Sequence, residues 1–135
     1  MKKINEIFYS LQGEGYHTGI PAIFVRFSGC NMKCSFCDTL HEDGIMMSDE
    51  EIISEVVKYP ASMVVLTGGE PGLWIDESLV DALHNEGKYV CVETNGTCVL
   101  PGNVDWVTCS PKEGGEVRLN PVSYTHLTLP TILLV

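Results

Sequence analysis

Ala22-Ile23-Phe24-Val25-Arg26-Phe27-Ser28 is an apolar run interrupted by a single charge. Its β-branched and aromatic residues, without polar alternation, predict a strand buried on both faces, as in a parallel sheet. Arg26 is the odd residue in it. Downstream comes a cysteine loop, residues 29–39. Ser48-Asp49-Glu50-Glu51 is a capping box, and behind it Ile52, Ile53, Val56 and Val57 share one helical face up to Pro60. Residues 62–66 predict a second apolar strand, stopped by Thr67-Gly68-Gly69-Glu70-Pro71. A second helix is expected over 76–86, with Leu79, Val80 and Leu83 inward and Gly87 as its stop. Residues 88–92 and 104–108 predict two further strands, ending in Glu93-Thr94-Asn95-Gly96 and Cys109-Ser110-Pro111-Lys112. Upstream, residues 7–10 read as a short strand before the loop Leu11-Gln12-Gly13-Glu14-Gly15.

The order from Ala22 onward is strand, helix, strand, helix, strand, strand. Such alternation predicts an α/β fold with a parallel sheet and right-handed crossovers. Every one of the four strands ends in a polar or cysteine-rich turn. Ligands of such sheets bind at the carboxyl ends of the strands, so these turns are expected to converge on one site.

Bulk properties limit the partners. The 135 residues fit one domain, and 44% hydrophobic content suits a globular chain. A net charge of −10 argues against nucleic acid, whose phosphates need clustered Lys and Arg. No apolar stretch approaches the ~18 residues of a membrane span. The N-terminus has no apolar h-region of a signal peptide, so a cytoplasmic location is expected.

Cysteines stand at 30, 34, 37, 91, 98 and 109. Three within eight residues, without an export signal, read as a metal site rather than a disulfide framework. Cys30-Asn31-Met32-Lys33-Cys34-Ser35-Phe36-Cys37 is C-x3-C-x2-C. Three thiolates on a 4Fe-4S cube leave one iron open to an outside ligand. The spacing alone also admits zinc, with His41 or Cys109 as fourth ligand, or buried structural thiols.

Taken with an aromatic before the last cysteine and the Gly-Gly-Glu-Pro turn after the next strand, this pattern resembles the radical S-adenosylmethionine superfamily over residues 7–121. The resemblance implies a partial (β/α) barrel. It implies Cys30, Cys34 and Cys37 as ligands of a 4Fe-4S cluster whose open iron is chelated by S-adenosylmethionine. Gly68-Gly69-Glu70 matches the turn whose backbone meets the methionyl amino group, where only glycine allows so close an approach.

Six motifs in order narrow this further: Gln12-Gly13-Glu14-Gly15, Arg26, Cys37-Asp38-Thr39, Thr67 to Pro71, Glu93-Thr94-Asn95-Gly96 and Ser110-Pro111-Lys112. Together they resemble the 7-carboxy-7-deazaguanine synthase family. Its members are carbon–nitrogen lyases of queuosine-type biosynthesis. They convert 6-carboxy-5,6,7,8-tetrahydropterin to 7-carboxy-7-deazaguanine with loss of ammonia. The resemblance implies Leu11, Gln12, Gly13, Arg26 and Thr67 as substrate contacts, and Phe36, Asp38, Gly69, Ser110, Pro111 and Lys112 as S-adenosylmethionine contacts. Glu93 is a further cofactor contact, to a ribose, or else a partner of Arg26. Thr39 corresponds to the Mg²⁺ position, where substrate oxygens and water must complete the shell. The implied partners are an electron donor such as flavodoxin and, for the full-length enzyme, a second copy in a homodimer.

The chemistry of Arg26 fits that family independently. A pterin carboxylate wants a bidentate cation, and Arg26 is the cation inside a buried strand. The alternative is an ion pair with an acidic neighbour such as Glu14 or Glu93. Cys91 and Cys109 read as buried small hydrophobes and Trp74 and Trp106 as packing residues; Cys98 is unplaced, and His17, His41 and His84 are expected in exposed or capping roles.

Two rival readings remain at this level. A glycyl-radical activating enzyme shares the cysteine spacing and glycine turn, but Gln12 to Gly15 and the Asp38-Thr39 pair favour a small-molecule substrate. A zinc module without catalysis would be colourless and free of iron. The C-terminus carries a separate expectation. Residues 122–131 resemble the translation of a transposon-end sequencing adapter, with Pro121 and Ile132 allowing its flanking bases. Residues 1–121 are then the N-terminal part of the barrel and 122–135 are not a domain. On that reading the barrel is incomplete and turnover is low. The alternative is a true strand, because Ser123 to Leu129 partly alternates.

Overall fold

The computed structural model describes residues 1–13, 16–29 and 44–110, together with the backbone of residues 125–127. In chain order the elements are β1 (Lys2–Leu11), β2 (Pro21–Phe27), β3 (Ile45–Met47), α1 (Asp49–Val56), β4 (Met63–Gly68), α2 (Glu77–Asn85), β5 (Tyr89–Thr94), β6 (Trp106–Cys109) and β7 (Thr125–Leu127). A single-turn 3-10 helix, Pro71–Leu73, follows β4. Among the described residues the strands form one sheet in the order β3-β1-β2-β4-β5-β6-β7. The run from β2 to β7 is parallel throughout.

The flank departs from the all-parallel expectation. β1 spans ten residues rather than four, and it pairs antiparallel with both β2 and β3. The physical reason is the connection. Only the nine residues 12–20 join β1 to β2, and a parallel pair would need a crossover of a dozen residues or more. The backbone bonds Gln12 N–H to Ile20 O (2.9 Å) and Gly19 N–H to Gln12 O (2.7 Å) close that loop.

Both helices cover one face of the sheet. Ile23, Val25 and Phe27 of β2, Val64 and Leu66 of β4, and Val90 and Val92 of β5 pack there against Ile52, Val56, Leu79, Val80 and Leu83. Helix α1 starts where expected, with the Glu51 amide donating to Ser48 Oγ (3.2 Å) and the Ser48 amide to Glu51 Oε1 (3.0 Å). It ends at Val56, ahead of Pro60, and Val57 is exposed rather than inward. Helix α2 is capped by Asp76, which accepts from the Leu79 amide at 2.9 Å. Gly87 stops it with φ +76°, a conformation that costs glycine nothing. The side chain of Lys2, nearly enclosed, reaches Asp49 (2.6 Å) and Asp76 (3.3 Å), and so ties the N-termini of both helices to β1.

The opposite face carries a smaller cluster, Ala22, Phe24, Met63, Val65 and Cys91, flanked by Phe8 and Trp106. No helix residue among those described joins it. The loop 12–20 crosses the lower end of this face, where Tyr16 and His17 lie 5.1 Å from the Trp106 ring. Trp74 and Trp106 are packing residues, as expected, and Trp74 also donates from Nε1 to Ser28 O at 2.8 Å. His84 gains a partner that the sequence did not suggest, Asp105, with Nε2 and Oδ2 2.7 Å apart. No helix among the described residues is long and apolar enough to cross a membrane.

Candidate active site

Strand alternation selects which side chains meet on the helix-free face. On β2 they are Ala22, Phe24 and Arg26; on β4, Met63, Val65 and Thr67; on β5, Cys91 and Glu93. Arg26 stands level with Thr67 in the parallel register, and Glu93 with Thr108. Thr67 Oγ1 donates to Glu93 Oε1 at 2.8 Å. A row of polar side chains therefore crosses the sheet near the carboxyl ends of its strands, above an otherwise apolar face. Burial, with Asp105 and Glu93 nearby, pushes the Cys91 thiol up to about 12, as befits a packing residue.

Arg26 makes an ion pair with an acidic neighbour, as the alternative reading expected, but that neighbour is Glu6 rather than Glu14 or Glu93. Its Nε donates to Glu6 Oε1 at 3.0 Å. Its guanidinium carbon lies 5.7 Å from the centre of the Phe8 ring. Glu93 is engaged by Thr67 instead, and Glu14 lies outside the described residues.

Above the row, the strand-end turns are joined. Gly69 N–H donates to Phe27 O (3.2 Å) and Glu70 N–H to Gly29 O (2.9 Å), so the glycine turn is bonded to the residue preceding Cys30. Ser110 N–H donates to Thr94 O at 2.9 Å. Gly68 has φ +120°, and a Cβ there would fall on the backbone of Phe27. Only glycine fits both demands.

Glu70 is fully buried, and its carboxylate binds this end of the sheet together. Oε2 accepts from the Gly72 amide (2.7 Å) and the Thr94 hydroxyl (2.7 Å), and Oε1 from the Asn95 amide (2.8 Å). Sequence reasoning assigned the backbone of this turn but gave its side chain no role. The sequence marks Glu70 only as part of the turn, because its partners Thr94 and Asn95 lie far along the chain. Burial raises the Cys109 thiol, and the Glu70 charge adds to the effect.

The expected convergence of strand ends thus holds for Gly29, the turn 68–70, Thr94-Asn95 and Ser110. Leu11, Gln12 and Gly13 lie elsewhere. Leu11 pairs with Pro21 at the start of β2, five positions from Arg26, so the three residues open the loop beneath the helix-free face. Gln12 is buried there, and Leu11 and Gly13 are exposed. Cys30, Cys34, Phe36, Cys37, Asp38, Thr39, Pro111 and Lys112 lie outside the described residues. What is described fits a cluster and S-adenosylmethionine. The glycine turn presents close-packed backbone one residue from the first cysteine of a three-thiol motif, the donor set that leaves one iron open.

Comparison with known proteins agrees with this geometry. The Radical SAM superfamily model matches residues 24–124. A 7-carboxy-7-deazaguanine synthase from Bacteroides thetaiotaomicron is 67% identical over 129 residues, covering 93% of this chain and 71% of the relative. One from Bradyrhizobium diazoefficiens is 40% identical over 152 residues, covering 96% of this chain and 72% of the relative. The crystal structure of QueE from Escherichia coli superposes with a TM-score of 0.75 at 34% identity, covering 90% of this chain and 66% of that one. The chain therefore spans about seven tenths of the first two relatives and 66% of the solved structure. With its α/β sheet, its glycine turn and these relatives, the chain belongs to the radical S-adenosylmethionine superfamily and, within it, to the 7-carboxy-7-deazaguanine synthases.

Proposed function

We propose that this chain converts 6-carboxy-5,6,7,8-tetrahydropterin to 7-carboxy-7-deazaguanine with loss of ammonia, as a step of queuosine-type biosynthesis. The observation that carries the reading is the row Arg26, Thr67 and Glu93 on the helix-free face, directly below a glycine turn bonded to the residue before Cys30. Cys30, Cys34 and Cys37 would hold the 4Fe-4S cluster. Phe36, Asp38, Gly69, Ser110, Pro111 and Lys112 would contact S-adenosylmethionine, with Glu93 as a further contact, and Thr39 would face Mg²⁺. When bound, the cluster and S-adenosylmethionine supply one-electron chemistry.

The chain's own side chains bind and orient. Arg26 meets the substrate carboxylate with its η nitrogens, a charge-assisted fork that lysine cannot reproduce. Thr67, its hydroxyl turned to Glu93, keeps lone pairs for a substrate donor. Val65, Phe24 and Cys91 exclude water beneath the ring. Leu11, Gln12 and Gly13 would close the pocket from below. A flavodoxin-type donor, a homodimer and a cytoplasmic location complete the reading. It also takes residues 1–121 as the radical S-adenosylmethionine core and reads 122–135 as foreign to it although β7 within them pairs with β6, which resequencing the gene would check.

Anaerobic reconstitution followed by turnover with the carboxypterin tests the function. Release of 7-carboxy-7-deazaguanine and ammonia is expected. Cleavage of S-adenosylmethionine that leaves the pterin unchanged would overturn it.

A further inference from the structure

We infer that Glu6 and the ring of Phe8 are positioning residues that aim Arg26, and that a bulge in β1 exists to bring them there. This deepens the reading of Arg26 as the carboxylate clamp and rests on it. The register carries the inference. Ile4 pairs with Phe27, yet the next pair is Glu6 with Arg26, so two steps on β1 match one step on β2. Without that irregularity Asn5 would stand opposite Arg26, and every later side chain of β1 would point to the other face. With it, Glu6 and Phe8 share the helix-free face with Arg26, and Ile7 turns to the helix-covered core. Bulges next to sites commonly re-aim a side chain in this way.

The geometry at Arg26 fits an aiming device. Glu6 accepts from Nε at 3.0 Å. That leaves the two η nitrogens as the fork for an incoming carboxylate. Beneath the guanidinium lies Phe8, whose ring is stacked on Phe24 with centroids 5.1 Å apart and planes 8° from parallel. A planar cation on a ring, held at one edge by a carboxylate, loses most of its rotational freedom before substrate arrives. The exposed pair itself adds little stability, with side chains 36% and 52% exposed. Its use is therefore orientation.

The test uses the reconstituted chain with S-adenosylmethionine bound, and the variants Glu6→Ala, Glu6→Gln, Arg26→Ala and the double variant Glu6→Ala/Arg26→Ala. Binding of 6-carboxypterin and of unsubstituted pterin is titrated by their own fluorescence, and KM and kcat are measured on the reducible substrate. Glu6→Ala is expected to weaken 6-carboxypterin about tenfold, near one charge-assisted hydrogen bond, and to act on KM more than on kcat. Glu6→Gln retains an acceptor for Nε and should recover part of the loss. Pterin without the carboxylate should bind the parent and all four variants alike, and Glu6→Ala should add nothing once Arg26 is gone. Unchanged or tighter carboxypterin binding in Glu6→Ala, beside a clear loss in Arg26→Ala, would overturn the inference and leave Arg26 as the clamp. Equal losses for both pterins would overturn it as general pocket damage. Wild-type binding by Arg26→Ala would remove the underlying reading of Arg26 itself.

Discussion

Glu70→Ala removes one carboxylate and strands the donors it serves. The buried Asn95 amide and the half-buried Gly72 amide lose their acceptor, and the Thr94 hydroxyl loses its own. The hydroxyl can turn, because it already accepts from the Gly96 amide at 3.1 Å. The two amides cannot. At about 1–3 kcal/mol for each buried unmet donor, the loss is roughly 2–6 kcal/mol. Relief of the carboxylate's own burial, and the partial exposure of Gly72, place the expectation in the lower half, about 2–4 kcal/mol. That is a large fraction of the ~5–15 kcal/mol that holds a domain of this kind. Glu70→Gln is the discriminating variant. Oε1 faces one amide, and Oε2 faces another plus the hydroxyl. Whichever end takes the NH₂ group, one backbone donor meets another donor. The cost should be one unmet amide, about 1–3 kcal/mol, and clearly less than that of alanine. Thermal unfolding measures both, and amide hydrogen exchange at Gly72 and Asn95 localises the effect. Glu70→Ala melting within about 2 °C of the parent would refute the reasoning, given ~2–8 °C per kcal/mol for domains of this size. So would protection at Asn95 that survives the substitution.

Four further expectations follow from the same contacts. Gly68→Ala forces a Cβ onto the Phe27 backbone at φ +120°, so strain of about 1–3 kcal/mol and a repelled strand end should lower the melting temperature; an unshifted melt would count against the close approach. Burial pushes the Asp76 carboxyl up, but the Leu79 amide and Lys2 outweigh it and hold it below its ordinary 3.8. Its stabilisation is therefore present above that value and lost as pH falls through the lowered one, so Asp76→Asn should flatten the acid limb of an unfolding-versus-pH curve. Burial pulls Lys2 down, whereas Asp49 and Asp76 lift it above its ordinary 10.5, so its stabilisation is full below that pH and is lost as pH rises through the lifted value; Lys2→Met should remove the alkaline limb. Cys91, enclosed and with its thiol near 12, should resist alkylation at pH 8 until the chain unfolds, and Cys91→Ala should leave iron content intact where Cys30→Ala, Cys34→Ala or Cys37→Ala abolishes it; full iron in any of those three would sink the cluster assignment.

Local signals were enough for the parallel core. Short, β-branched apolar runs at Ile23 to Val25 and Val64 to Leu66, bounded by turn residues, point to strands covered on both sides, and both are enclosed. The Ser48 capping box is read from spacing because a cap bonds within three residues of itself. The same holds for Gly68 and Gly87, whose backbone needs are stated by glycine itself. The motifs at strand ends were legible as a set, since parallel topology obliges those ends to meet.

What escaped the sequence depends on residues far apart along the chain. The direction of β1 followed from the absence of a crossover, not from its own composition. Its bulge shifts the register by one residue and leaves no compositional trace, so Glu6 could not be seen as the partner of Arg26, twenty positions away. Glu70 showed itself as part of a turn, but its carboxylate meets Thr94 and Asn95 across 24 and 25 positions. His84 and Asp105 meet only because α2 packs beside the entry to β6. Periodicity, caps and turns are properties of a few consecutive peptides, and this chain states them in its sequence. Which charge faces which is decided by strand register and sheet order, and these form only when the whole sheet assembles.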